Sequence, residues 1–360
     1  MNIAALVSGG VDSSVTVPVL KEQGYDPVIV YIRIAMEDVP GFIDCPSEED
    51  IEIASYIAKK YGCRFEIVDL QQEYWERVVD YTITTVKKGL TPNPDVMCNR
   101  MIKFGSFEEK FVKDFDKIST GHYASVIEKN GQYYLGTAKD KRKDQTYFLS
   151  RITYDQLSKV MFPIWDFQKG EVRKLAEELK LPSAKRPDSQ GICFLGKINY
   201  NDFIRKYVGD KEGYIIELET GRKLGRHKGY WFHTIGQRKG LGLSQGPWFV
   251  VRKNIEENII YVSHGYDPMS QYGDEIVLDD FLFINETPDR DYSTGQAVKF
   301  KIRHTPEFTK GTLTKNKDQY ILKSAEKIAG IAPGQFGVIY NEQGRICFGS
   351  GIISEEKEIS

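Results

Sequence analysis

Short apolar runs alternate with longer amphipathic segments along the first 125 residues of the chain. The runs are rich in aliphatic side chains, as buried parallel strands are, and lie at residues 3–7, 28–32 and 65–68. The segments repeat apolar side chains every three or four positions, which predicts helices at residues 13–23, 48–61, 74–88 and 107–115. This alternation predicts an α/β domain with a parallel sheet that binds its ligands at the carboxyl ends of the strands.

The pattern then changes twice. Residues 91–99 and 185–193 carry prolines and polar residues typical of loops, and a helix is predicted between them at residues 171–180. Beyond residue 200, glycines become frequent and aromatic or β-branched residues alternate with polar ones, which predicts a β-rich region with a break near residues 265–273. About six short strand candidates follow Glu275 and are typical of a small barrel. We therefore predict domains at residues 1–198, 199–272 and 273–360.

The composition is that of an ordinary globular protein, with 360 residues of which 41% are hydrophobic and 28% are charged. No apolar run approaches the roughly 18 residues that a membrane-spanning helix needs. The N-terminus also lacks a basic segment followed by an apolar one, so we expect a cytoplasmic protein with no membrane partner. The five cysteines are scattered and include no CxxC pair, which argues against a zinc ribbon or a disulfide framework. We predict no metal-ligating residues.

Charge is unevenly distributed in a chain whose net charge is only −2. Residues 221–255 contain eight basic side chains and no acidic one: Arg222, Lys223, Arg226, Lys228, Arg238, Lys239, Arg252 and Lys253. Such a segregated basic stretch favours an RNA-facing surface. A basic face that is merely solvated remains the alternative.

The hexapeptide at residues 8–13, SGGVDS, follows the first apolar run and opens the first predicted helix. A strand, a glycine turn and a helix start together point backbone N–H groups at an anion. Gly9 and Gly10 permit a positive φ and a close approach to phosphate oxygens. The lysine of a Walker A loop is missing, and Pro18 lies inside the helix, where we expect a mild kink. An ordinary capped turn between strand and helix is the alternative.

Several further motifs stand in order along the chain, at residues 8–13, 91–99, 121–123, 143–145, 188–194, 232–240 and 333–335. Together they resemble the bacterial tRNA-specific 2-thiouridylases, members of the ATP-pyrophosphatase superfamily with its SGGxDS pyrophosphate (PP) loop. The resemblance runs through the whole chain. It implies a PP-loop ATP-pyrophosphatase catalytic domain, a central β-rich tRNA-binding domain and a C-terminal β-barrel domain.

The resemblance also implies a role for each motif. ATP, with Mg²⁺, would be held by Leu6, Val7, Ser8, Gly9, Gly10, Val11, Asp12 and Ser13, with Ile32 and Gly121 closing on the nucleotide. The target base would meet Asn93, Pro94 and Asp95, and Asp95 can act as general acid or base. Further matches to tRNA-contacting positions are His122, Lys143, Asp144, Gln145, Arg303, His304 and Gln335. Cys193 would receive a persulfide sulfur from a donor protein, and Cys98 would be its nucleophilic partner.

The chemistry of such an enzyme fits the residues present. The C2 oxygen of uridine is a poor leaving group, and its adenylation makes AMP the leaving group. Sulfur on Cys193 can then attack C2, and the Cys98 thiolate can break the S–S bond by thiol exchange. The wobble base must be flipped out of the anticodon loop to be reached.

Two other functions remain compatible with parts of the sequence. A small-molecule ligase of the ATP-pyrophosphatase kind would need neither the cysteine pair nor the basic β-rich tail. A non-catalytic tRNA-binding protein would need no complete phosphate loop. Each cysteine taken singly is also compatible with a small buried hydrophobe, an interpretation that we favour for Cys45, Cys63 and Cys347.

Overall fold

The computed structural model describes residues 1–34, 47–111, 113–188, 199–264, 272–285 and 291–355. Within these ranges the strands are β1 (Ile3–Leu6), β2 (Val28–Arg33), β3 (Phe65–Asp69), β4 (Lys117–Ser119), β5 (Ala124–Lys129), β6 (Gln132–Thr137), β7 (Val160–Met161), β8 (Gly213–Glu217), β9 (Lys223–His227), β10 (Trp248–Asn254), β11 (Ile259–His264), β12 (Tyr272–Phe283), β13 (Gln296–Lys301), β14 (Thr309–Asn316), β15 (Gln319–Ala329), β16 (Phe336–Tyr340) and β17 (Ile346–Ile353).

Helices in the same ranges are α1 (Val11–Glu22), α2 (Ser47–Tyr61), α3 (Gln71–Tyr74), α4 (Asp80–Lys87), α5 (Pro94–Cys98), α6 (Phe107–Phe111), α7 (Thr146–Leu149), α8 (Tyr154–Lys159), α9 (Lys169–Glu178) and α10 (Tyr200–Val208). Two π-helical turns, Trp75–Val79 and Asn99–Ser106, connect neighbouring α-helices. Two 3₁₀ turns lie at Pro182–Lys185 and Tyr230–Phe232.

The N-terminal domain is built on a parallel sheet with strand order β3-β2-β1-β4-β7. This confirms the predicted α/β architecture. The order reverses at β1, whose neighbours β2 and β4 lead away in opposite directions, and such a switch point leaves a crevice at the carboxyl ends of the strands. The loop at residues 8–13 follows β1 and therefore lies at this crevice. Helix α1 continues unbroken through Pro18.

The prediction of a loop at residues 91–99 is wrong for α5, which spans Pro94–Cys98. The Asn93 side chain caps this helix by accepting a hydrogen bond from the Val96 N–H over 3.3 Å, and proline is favoured at the first helical position. Helix α10 was also missed, because it opens the region that was predicted as β-rich. Its cap is Asn199, whose side chain accepts from the Asn201 N–H.

The central domain is a four-stranded sheet with order β10-β11-β8-β9, in which only β11 and β8 run parallel. The C-terminal domain is a closed barrel of six strands in the order β12-β15-β14-β13-β16-β17, closed by pairing between β12 and β17. These two β-rich domains confirm the predicted fold class.

One hairpin of the N-terminal domain belongs to the barrel as well. Strands β5 and β6 pair with each other, and β6 continues the barrel sheet by pairing with β17. The apolar core follows the same path, because Phe104 and Tyr147 share one buried cluster with Phe336 and Tyr340 of the barrel. The N-terminal domain and the barrel are therefore packed into one continuous core.

No helix in the described ranges is long and apolar enough to cross a membrane. Nor do the described residues include a group of three or more histidine, cysteine or acidic side chains able to hold a metal ion.

Candidate active site

The loop at residues 8–13, called the phosphate loop below, connects β1 directly to α1. Gly9 has a φ of +75°, and Gly10 precedes the helix without a side-chain cap. The hydroxyl of Ser13 accepts from the Ser8 N–H at 3.1 Å and donates to the Gly10 carbonyl at 3.1 Å, which ties the loop to the first helical turn. No acceptor for the backbone N–H groups of Val11, Asp12 and Ser13 is found among the described residues. These donors face a site that suits phosphate oxygens.

Two glycines have no room for a side chain. A Cβ on Gly121 would come within 2.6 Å of the Ser13 nitrogen and 2.7 Å of the Asp12 carbonyl carbon. A Cβ on Gly9 would come within 2.6 Å of the Asp50 carboxylate. Gly121 therefore packs directly against the start of α1, and Gly9 lies directly against α2.

Three of the residues predicted to contact ATP, Leu6, Val7 and Ile32, lie on or directly after strands of the parallel sheet. Leu6 and Val7 are buried, and the Val7 N–H donates to the Val30 carbonyl over 2.9 Å. Ile32 is half-buried on β2, next to Val68 of β3. These side chains form the floor of the crevice rather than its polar lining.

The Asp12 carboxylate is bonded to two side chains from outside the loop. Tyr123 donates its hydroxyl to Oδ1 at 2.9 Å, and the Lys169 ammonium lies 2.6 and 2.8 Å from the two carboxylate oxygens. Tyr123 is 1% exposed, and burial together with the Asp12 charge raises its pKa far above the usual range, so it remains a hydrogen-bond donor. A residue 157 positions away thus supplies a full positive charge to the phosphate loop.

Asp188 extends this network. It accepts from Lys143 at 2.6 Å, Lys169 at 2.9 Å and Arg173 at 2.5 Å. Burial alone would raise its pKa, but the hydrogen bonds from Lys143 and Lys169 hold the pKa well below the usual range. Asp188 is therefore ionised at all physiological pH values.

A second cation holds the loop from another side. Arg186 donates to the Gly9 carbonyl at 3.0 Å, and its guanidinium also pairs with Asp50 and Glu49 of α2. Burial raises the pKa of Asp50, against the opposing effect of Arg186. The chain just after α9 thus clamps the glycine turn against α2.

The predicted base-binding loop is held by the barrel. The Asn93 side-chain amide donates to the Gln335 side-chain oxygen at 3.1 Å, and Gln335 donates in turn to the Pro92 carbonyl at 2.8 Å. The Thr91 N–H donates to the Pro333 carbonyl at 2.8 Å. A side chain at Gly334, which has a φ of +90°, would clash with residues 90 and 91.

The catalytic residues implied by the sequence sit on and beyond this loop. Asp95 is half-buried in the first turn of α5. Cys98 ends the helix with 1% of its surface exposed, inside the apolar cluster that joins the two domains. Such a thiol meets a substrate only after neighbouring side chains move. Cys193 lies outside the described residues, and so does Cys45.

Lys143, Asp144 and Gln145 are engaged within the protein. Lys143 pairs with Asp188, and the Gln145 side chain accepts from the Tyr123 N–H at 2.9 Å. Asp144 is 3% exposed and accepts from the Ala138 N–H at 2.8 Å. The Asp144 carboxylate therefore shapes this turn and does not project from it.

The remaining predicted tRNA contacts differ in exposure. The His122 ring lies between Phe104 and Phe162, and burial holds its pKa well below the usual range, so the ring is neutral. His304 is exposed, and its Nε2 lies 2.9 Å from the Asp144 carbonyl oxygen. Arg303 is exposed, with no partner for its guanidinium among the described residues.

The basic stretch at residues 221–255 divides into two groups. Lys223 stacks on the Tyr214 ring at 4.0 Å, and Arg252 stacks on Tyr261 at 4.4 Å, both on the outer face of the central sheet. Lys253, in contrast, points inward and donates to the carbonyls of Gly89 and His233. Burial lowers its pKa to about 8. The expectation of a single RNA-facing stretch is therefore wrong for Lys253, which connects the central domain to the N-terminal domain.

The sequence analysis did not predict that Tyr123, Lys169 and Arg186 contact the phosphate loop, although Tyr123 lies in the motif at residues 121–123. One signal was available: Lys169 is the first residue of α9, where a positive charge opposes the helix dipole. A lysine in that position indicates an acidic partner from elsewhere in the fold.

Three family models match the chain: a tRNA methyl transferase HUP domain over residues 1–197, a tRNA methyl transferase PRC-barrel domain over 201–264, and an aminomethyltransferase beta-barrel domain over 273–353. The chain is 65% identical, over 99% of both chains, to the tRNA-specific 2-thiouridylase MnmA of Parabacteroides distasonis. It is 62% identical to the protein of the same name from Porphyromonas gingivalis, again over 99% of both chains. It is 61% identical to MnmA 1 of Bacteroides thetaiotaomicron, over 98% of this chain and 100% of the relative.

Proposed function

Since this chain belongs to the family of tRNA-specific 2-thiouridylases, we propose that it is an enzyme that uses ATP to convert the wobble uridine of tRNA to 2-thiouridine. The observation that carries the proposal is the similarity over 99% of the chain, which includes all three domains. A small-molecule ligase would share only the N-terminal domain, and a non-catalytic tRNA-binding protein would have no use for the complete phosphate loop.

ATP fits the loop at residues 8–13. The three N–H groups at the start of α1 have no protein acceptor among the described residues, and the space beside Gly10 is open, since a Cβ there would meet only the Ser8 hydroxyl, at 3.7 Å. A magnesium ion would be held by Asp12 together with the substrate phosphates, in place of the Lys169 ammonium that contacts both Asp12 oxygens. When bound, it would neutralise phosphate charge.

The reaction has two stages. The uridine C2 oxygen attacks the α-phosphorus of ATP, pyrophosphate leaves, and AMP becomes the leaving group on C2. The terminal sulfur of a persulfide on Cys193, delivered by a sulfur-donor protein, then attacks C2 and displaces AMP. The Cys98 thiolate attacks the Cys193 sulfur and releases 2-thiouridine, which leaves a Cys98–Cys193 disulfide for a thiol reductant to reset.

The base-binding loop is held in place by the barrel, which supports its proposed role in positioning the base. Asn93 caps α5 and is held by Gln335, so the half-buried Asp95 lies in a fixed helical turn beside the buried Pro94. Asp95 can exchange a proton with the base as general acid or base. The exposed Arg303 and His304 would contact the tRNA directly. Gln335 would act by holding the turn, and Lys143 would have to exchange its bond to Asp188 for a contact with the tRNA.

The decisive experiment is nucleoside mass spectrometry of tRNA after incubation with the protein, ATP and a persulfide donor. We expect 2-thiouridine to form only when all three are present. ATP-dependent pyrophosphate release with a small molecule and without tRNA would favour the ligase instead. Binding of tRNA with no pyrophosphate release would favour a non-catalytic protein.

A second experiment separates the two cysteines. Cys193→Ser should still release pyrophosphate but take up no labelled sulfur, whereas Cys98→Ser should carry the label on Cys193 and then stall. Intact-protein mass spectrometry distinguishes these states. Label on Cys98 in the Cys193→Ser variant, with thiolation retained, would reverse the two roles.

A further inference from the structure

Lys169 is unusual among the cations around the phosphate loop. Its ammonium contacts both oxygens of Asp12, at 2.6 and 2.8 Å, and also Asp188 at 2.9 Å, and its side chain is only 13% exposed. It reaches the loop from the first turn of α9, where the helix dipole disfavours a positive charge. The two carboxylates offset that cost and direct the ammonium towards the loop.

The loop lacks a full positive charge of its own. The N–H groups of Val11, Asp12 and Ser13, for which the described ranges contain no acceptor, carry only partial charges. Asp12, in the same helical turn, would repel a triphosphate. The lysine of a Walker A loop, which serves this purpose in other nucleotide-binding proteins, is absent from residues 8–13. Lys169 is the ammonium that lies against this turn in the folded protein.

The other cations near the loop are bonded to other groups of the protein. Arg186 is bonded to the Gly9 carbonyl and paired with Glu49 and Asp50. Lys143 contacts Oδ2 of Asp188, and Arg173 shares Oδ1 with Lys169. Within the described part of the chain, neither Lys143 nor Arg173 contacts the loop. Lys169 alone among these bridges the loop carboxylate and the Asp188 cluster.

We propose that Lys169 is a nucleotide-binding residue that contacts the phosphates of ATP and the departing pyrophosphate, with Asp12 and Asp188 holding its ammonium in place beforehand. The proposal rests on the proposed function and adds a residue to its nucleotide site.

The test measures binding, not turnover. Lys169→Met should weaken binding of the α,β-methylene analogue of ATP and of pyrophosphate at least tenfold in titration calorimetry. Affinity for adenosine, which lacks phosphate, should stay within twofold by equilibrium dialysis. Lys174→Met is the matched control, because Lys174 lies on the same helix and, of the residues that the structure describes, pairs only with Glu178, at 3.7 Å. This variant should bind all three ligands like the wild type.

A purely structural role for Lys169 would be to neutralise Asp12. This is tested by measuring metal-free pyrophosphate binding in Asp12→Asn and in Asp12→Asn/Lys169→Met. The proposal expects the double variant to bind at least tenfold more weakly than Asp12→Asn, since the contact with phosphate is lost. Equal affinities would overturn it, as would a parallel loss of adenosine affinity in Lys169→Met. If the wild type bound neither ATP analogue nor pyrophosphate, the proposed function itself would fail.

Discussion

The side-chain amide of Asn93 donates a hydrogen bond of 3.1 Å to the side-chain oxygen of Gln335, across 242 residues of sequence. Asn93 also caps α5, which carries Asp95 and Cys98. The barrel thus holds in place the helix that contains Asp95 and Cys98.

Removal of Gln335 should therefore impair chemistry on tRNA while sparing the nucleotide site. Gln335→Ala deletes the bonds to Asn93 and Pro92, each worth about 1 kcal/mol. We expect about a tenfold loss of single-turnover thiolation with unchanged affinity for the ATP analogue. Gln319→Ala, in the exposed part of the same barrel, is the control and should keep full activity. Equal rates in both variants would contradict this role of Gln335.

Gly121 provides a steric test of the nucleotide site. A methyl group at this position would meet the backbone of Asp12 and Ser13 at 2.6 to 2.8 Å. Gly121→Ala should displace the start of α1 and abolish ATP-analogue binding in calorimetry. Gly170→Ala is a matched control, because a Cβ there meets nothing within 4 Å. Normal binding by the Gly121→Ala variant would show that the start of α1 does not form the phosphate site.

The central domain should lose stability in acid through His233. This ring is 8% exposed, and burial followed by the charges of His227 and Lys253 lowers its pKa to about 4. The unfolded chain takes up the proton at about pH 6.5, so stability falls as the pH drops from there to about 4. The loss amounts to about 3 kcal/mol at most.

Urea unfolding between pH 7 and 4 measures this loss, and His233→Phe should flatten the profile because it removes the titrating group. The ring resonances of His233 in NMR give its pKa directly. A midpoint near 6.5 for this ring would contradict the prediction.

Binding of tRNA should weaken steeply with salt, because phosphate contacts release counterions. Arg303 is exposed, and no partner for its guanidinium is found in the described part of the chain. Arg303→Ala should reduce the slope of log affinity against log salt by about one, with ATP binding intact. Lys59→Ala, on the exposed face of α2, serves as the comparison and should keep the wild-type slope. A slope unaffected by Arg303→Ala would remove this residue from the RNA surface.

Local signals in the sequence predicted the parts of the fold that depend on neighbours along the chain. The apolar run before Gly9 predicted β1, and the periodicity around Ile57 predicted α2. Asn93 followed by Pro94 is a helix-start signal, but two prolines and two asparagines in residues 91–99 are also typical of a loop, and the sequence alone favours the loop.

The contacts that assemble the site could not be predicted in this way. Lys169 meets Asp12 from 157 residues away, and Lys253 turns inward although seven neighbouring basic residues share its stretch. Hydrophobic periodicity gives no information on which charged groups meet across domains. Only the packing of α9 against α1 brings Lys169 to the phosphate loop.

Because β6 of the N-terminal domain pairs with β17 of the barrel, the protein cannot be cut into independent fragments at the domain boundaries of its sequence. A fragment ending at residue 198 would keep the β5–β6 hairpin but expose the β6 edge that β17 covers, together with the apolar side of Phe104 and Tyr147. Uncovered strand edges recruit other chains and promote aggregation. The N-terminal domain is thus unsuited to expression without the barrel, because strand β17 near the C-terminus completes its surface.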